Sequence, residues 1–260
     1  MTETLRSNSP SPMPKVRMLS FADLARSLRR GIADFAAKPQ FGLMIGLTCA
    51  LFGIAIVACI KWLGIPWMIY PFAIGFPLAG PFLAVGLYEV SRRIETGEPV
   101  TWSAVGSRMW AQRGRELSWM AFVVLFVMWV WVYQVRLLMA LFLGMKSFST
   151  LPGFIKVVTT TTEGFLFLGI GHAVGAALAI ILFSLTVVSI PLLMEKELDI
   201  VTAMIISVKA VLASPLVMIG WGLFVTLAVI IACLPLFLGL VIVLPVLGHT
   251  TWHIYKSAVV

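Results

Sequence analysis

Six apolar stretches constrain this chain more than any other feature. They cover about residues 41–60, 65–88, 117–143, 168–194, 215–233 and 236–254. Each comes close to the ~20 apolar residues that a helix needs to cross a hydrocarbon core of ~30 Å. In such a core every backbone polar group must be satisfied within the segment, so the spans are read as helices and the fold class as all-α. Only 12% of the 260 residues are charged and 60% are hydrophobic, far from the quarter charged residues of an ordinary soluble domain. The expected architecture is a polytopic membrane protein of six spans, arranged as three hairpins.

The net charge of +8 would suit a nucleic-acid partner, but most of the basic residues flank the spans. Fifteen Lys and Arg fall on the side of the two termini and four on the other. By the positive-inside bias both termini are placed in the cytoplasm, with multi-pass insertion in a bacterial inner membrane and no nucleic-acid partner. The first apolar run begins at Phe41, too late for a signal peptide, and is read as an anchor. Cys49, Cys59 and Cys233 lie within apolar runs, so they are expected as free buried thiols.

Residues 1–19, with Pro10, Pro12 and Pro14 among serines, read as a disordered cytoplasmic tail, and residues 20–260 as a single membrane domain. From Ser20 to residue 37 the pattern is a surface helix. Phe21, Leu24, Leu28, Ile32 and Phe35 share one face, with Arg26, Arg29 and Arg30 off it. The helix lies either on an anionic bilayer or by its apolar face on the protein itself. A second amphipathic helix follows at Trp102–Trp110, with Arg108 and Arg113 off its apolar face. A third is expected between Glu195 and Ser214, on the stripe Leu198, Val201, Ile205, Val208 and Leu212. The basic residues of the first two, Arg26, Arg29, Arg30, Arg108 and Arg113, are the candidate lipid-surface residues, and membrane lipids and other membrane proteins the expected partners. The stretch from Lys146 to Glu163 reads as the one sizeable outer loop.

Each surface helix precedes an odd span and a proline-bearing even span, which suggests a pseudo-threefold internal repeat. Two stripes of small residues, Gly42–Gly46–Ala50 and Gly171–Gly175–Ala179, have the spacing that lets membrane helices approach closely.

Several motifs carry a resemblance. They are Gly31-Ile-Ala-Asp34 with Pro39 and Gly42, Gly80-Pro81 and Tyr88-Glu89 before Arg92-Arg93-Ile-Glu95-Thr-Gly97-Glu98, and Gly171-His172 through Gly175-Ala176. Asp199 with Ala203, Ser207 and Pro215 continues it, and Pro245-Val-Leu-Gly248-His249-Thr-Thr-Trp252-His253-Ile-Tyr255 closes it. On these residues, from about 25 to 256, the chain resembles a family of bacterial integral membrane proteins known only as a domain of unknown function. The resemblance implies a shared fold and supplies no activity.

Counting eight residues on from Pro81, Pro191 and Pro245 reaches Glu89, Asp199 and His253. Equal kinks followed by equal rises would deliver these groups to one depth. Together with Glu195 and with His249, one turn before His253, they form a candidate polar or metal cluster. The alternative is a set of ordinary polar helix ends at an interface. A haem–copper centre needs more histidines than the three present. No cofactor is expected, and no nucleophile elbow or phosphate-binding glycine loop occurs. The function expected is a non-enzymatic accessory or scaffold role toward membrane proteins or lipid. The alternatives are a small transporter or channel with a site at the repeat interface and, last, a membrane enzyme using the His/Glu/Asp cluster.

Overall fold

A computed structural model describes residues 14–61, 69–112, 116–144 and 151–260. Within them the chain forms eleven helices: α1 (Phe21–Ala37), α2 (Pro39–Lys61), α3 (Ile69–Thr96), α4 (Trp102–Ala111), α5 (Glu116–Leu143), α6 (Leu151–Thr160), α7 (Thr162–Thr186), α8 (Ser189–Glu195), α9 (Ile200–Ala213), α10 (Pro215–Cys233) and α11 (Leu240–Ala258). Among the described residues, four segments are long and apolar enough to cross a membrane: Pro39–Cys59, Glu116–Leu143, Thr162–Glu195 and Pro215–Cys233. The protein is thus all-helical and polytopic. The expected second and sixth spans correspond to α3 and α11, whose later turns turn polar: Glu89, Arg92, Arg93 and Glu95 on one, His249 through Lys256 on the other.

Prolines decide where the long helices bend. Pro191 has no N–H for the Val187 carbonyl, and the chain turns at Val187–Val188 between α7 and α8. The break is held by Val188 N donating to Ser207 Oγ at 3.1 Å and Ser189 Oγ donating to Leu185 O at 2.5 Å. Pro245 stays inside α11 and likewise leaves the Val241 carbonyl without its usual donor. That carbonyl lies on Gly46 of α2, so close that a Cβ there would stand 2.6 Å from it. The α2 stripe therefore packs as its spacing indicates. Between α10 and α11 the turn carries Leu236 and Phe237 at positive φ, and the Phe237 ring seats on Gly53 of α2.

Three expectations are corrected. The tail does not run unstructured to residue 19: Val16 pairs antiparallel with Val259, with Arg17 N donating to Ala258 O at 2.8 Å and Val260 N to Lys15 O at 2.9 Å. Leu19 N then donates to Ser214 Oγ, which ties this strap to the start of α10. The segment expected as an outer loop contains a helix, α6, folded back on α7, with the Phe154 and Phe167 rings 6.3 Å apart. Its threonines fit a helix because Thr159, Thr160 and Thr161 each donate to the carbonyl four residues back. The third surface helix begins only at Ile200, after Asp199 caps it.

The surface helices dock by a face only partly expected. In α1 the fully buried residues are Ser27, Gly31 and Asp34; Leu24, Leu28 and Phe35 of the apolar stripe are half-buried beside them, while Phe21 and Ile32 are 62% and 49% exposed. In α9 the small stripe Ala203, Ser207 and Ala210 is buried, together with Ile206 and Val211, while Val201, Ile205 and Leu212 face out. Small residues let each helix lie against its neighbour: a Cβ on Gly31 would meet Thr250 of α11 at 2.3 Å.

Candidate functional site

The ionisable residues that leave water gather where α1, α3, α4, α8 and α11 meet. Glu89 on α3 is 1% exposed. It accepts bonds from Arg92 Nε at 2.9 Å and Arg93 Nε at 2.6 Å, residues three and four ahead on the same helix. Glu98, beyond the α3 terminus, accepts from both Arg92 Nη groups, at 2.8 and 2.9 Å. The Arg92 guanidinium pulls the Glu98 carboxyl down to about 2. Arg108 on α4 brings its Nε within 3.9 Å of Glu89 and donates through Nη2 to the Met194 carbonyl at the end of α8. Glu89, Arg92, Arg93 and Arg108, with Ser107 and Glu195, line an open cleft of about 550 Å³.

A second polar seam runs along α11. His253 Nε2 donates to Asp34 of α1 at 2.7 Å, both groups nearly buried. His249, fully buried, shares a 2.8 Å hydrogen bond between its Nδ1 and Ser91 Oγ of α3. Trp252 Nε1 donates to Glu95 at 3.3 Å. Tyr255 and Lys256 both donate to Glu195, the lysine at 2.8 Å. Asp34, Glu95 and His253 sit around a smaller pocket of about 250 Å³ that Arg30 also lines.

The residues expected to converge are thus divided. Glu89 and Glu195 share the larger cleft, and His253 belongs to the smaller pocket. His249 lies one turn from His253 but bonds to α3. Asp199 joins neither group. Its Oδ1 accepts from Thr202 N at 2.9 Å as the N-cap of α9, and Thr202 holds its carboxyl below the usual range. The equal offset from proline fails at this position because α8 ends at Glu195, so no helix carries Asp199 to the depth of the others. No three His, Cys, Asp or Glu among the described residues stand close enough to hold a metal ion. Arg26, Arg29 and Arg30 are exposed on α1, and Arg113 lies outside the described residues.

As site residues Asp34, Ser91 and Glu95 were missed by sequence reasoning, Asp34 and Glu95 standing only within motifs. Asp34 left a signal: a carboxylate in the last turn of a helix opposes the helix dipole and needs a partner elsewhere.

Residues 68–195, from the approach to α3 to the end of α8, match the family described as predicted integral membrane protein (DUF2189). No curated protein and no solved structure matches the chain. The DUF2189 match includes Glu89, Arg92, Arg93, Arg108 and Glu195, so the whole larger cleft lies within it. The motifs around Gly31–Gly42 and Pro245–Tyr255, and with them the Asp34–His253 pair, lie outside it.

Proposed function

We propose that this protein is a non-enzymatic scaffold or accessory component of a bacterial inner membrane, one that grips the bilayer surface and other membrane components through its short helices. In this reading α3 and α11 complete six spans, both termini are cytoplasmic, and the order of one surface helix before each pair of long segments reflects a threefold repeat. The carrying observation is the docking of α1 and α9 by small residues. A helix that leaves Phe21 and Ile32 outward, with Arg26 and Arg29 exposed as well, is built to seat those side chains in lipid or on a partner. Trp102 and Trp110 of α4, 48% and 69% exposed, suit the same headgroup level. The buried ionisable groups gather at the end where the termini meet, which favours this role over a transport path through the bundle.

A photo-crosslinking residue in place of Ile32, in the full chain in its native membrane, tests the reading. The expected products are adducts with phospholipid or with one recurrent membrane protein. Crosslinks confined to the chain's own helices would overturn it.

A further inference from the structure

The larger cleft has the charge and donors of a phosphodiester site. We infer that it binds the phosphate of one membrane phospholipid, with Arg108 as the principal ligand. This rests on the reading of α4 as a helix at the bilayer surface.

The charges around the cleft nearly cancel. Among the residues that line it, Arg92, Arg93 and Arg108 face the carboxylates of Glu89 and Glu195, three cations against two anions, leaving one positive charge. That excess resides on Arg108. Arg92 is committed to Glu89 and Glu98, and Arg93 to Glu89 and the Pro99 carbonyl. Arg108 gives one N–H to the Met194 carbonyl, and its Nε is buried without a hydrogen-bond partner. Glu89 at 3.9 Å is too far to accept from it.

A planar guanidinium with N–H groups to spare suits two oxygens of one phosphate group. A single excess charge matches a phosphodiester, which carries one negative charge, better than free phosphate, which carries more near neutral pH. Basic pockets where helices leave a membrane are the usual seats of lipid headgroups. The cleft opens beside α4, whose exposed tryptophans place it at headgroup depth in this reading.

Native mass spectrometry of the full-length protein, purified in mild detergent, reads this directly. The wild type should retain one phospholipid. Arg108→Gln should retain about tenfold less, as befits the loss of a charge-assisted fork, and Arg108→Lys should fall between. Protein stripped of lipid should gain thermal stability from dioctanoyl phosphatidylglycerol and not from inorganic phosphate at equal concentration. The inference fails if Arg108→Gln retains as much lipid as the wild type, or if the wild type retains none. An equal response to inorganic phosphate would overturn the lipid assignment. The Ile32 crosslinks do not involve Arg108, so failure of this site and failure of the scaffold reading are separable.

Discussion

The two stripes of small residues, on α2 and on α7, have the same spacing and opposite outcomes. On α2 a side chain added at Gly42 would meet Pro245 at 2.8 Å, and one at Gly46 the Val241 carbonyl at 2.6 Å. On α7 the nearest atoms to a Cβ at Gly171 or Gly175 would be Leu138 at 3.8 Å and Trp131 at 3.6 Å, ordinary contact distances. The partner makes the difference. α11 offers a bent backbone with an unclaimed carbonyl, whereas α5 offers aromatic and leucine side chains that hold the axes apart. A small-residue stripe permits close approach without enforcing it. The contrast extends to whole regions: α1, α2, α3 and α11 interlock through glycines and buried ion pairs. α5 has only 6% of its most apolar window buried and turns Phe122, Phe126, Trp129 and Tyr133 outward.

The sharpest way to break this contrast is to remove the buried carboxylate of the interlocked region. Glu89→Ala leaves Arg92 and Arg93 without their shared acceptor and should cost about 3–5 kcal/mol, toward the lower figure because both arginines reach solvent. Equilibrium unfolding in detergent measures it, and a loss below about 1 kcal/mol would demote the pair to a surface contact. Next, Gly46→Ala should cost about 1–3 kcal/mol, since a backbone carbonyl gives way less readily than a side chain. Its counterpart Gly175→Ala should stay within about 0.5 kcal/mol of the wild type. Equal effects at the two glycines would erase the distinction between the stripes.

The helical, multispan character was legible because apolar length is a one-dimensional property. The start of α1 was legible too: the pattern begins at Ser20, whose Oγ accepts from Asp23 N as the helix N-cap. The docking faces were hidden because amphipathicity marks the apolar side, and a membrane protein can leave that side to lipid. The Asp34–His253 pair joins residues 219 positions apart, and no local periodicity links them. Asp199 was misplaced for a local reason: the short helix that holds Pro191 stops at Glu195, before reaching it.

The smallest effect concerns acid. Glu98 is held at about 2 against an ordinary 4.5, a lowered value. Its contribution is therefore complete above 4.5 and fades as the pH falls through about 2. Glu98→Gln should therefore lower stability slightly above pH 4.5 and leave it little changed near pH 2, which flattens the acid limb, and an unaltered profile would show that the bond to Arg92 adds nothing.

The central claim is that α1 docks through Ser27, Gly31 and Asp34 and gives Phe21 and Ile32 to the membrane. Spin labels at Phe21, Ile32 and Arg29, one at a time, in protein with Cys49, Cys59 and Cys233 replaced and reconstituted in liposomes, test it most directly. The account predicts labels at residues 21 and 32 that oxygen dissolved in the bilayer relaxes and an aqueous nickel chelate does not reach, with the reverse at residue 29. Equal access of the nickel chelate to all three positions would contradict it.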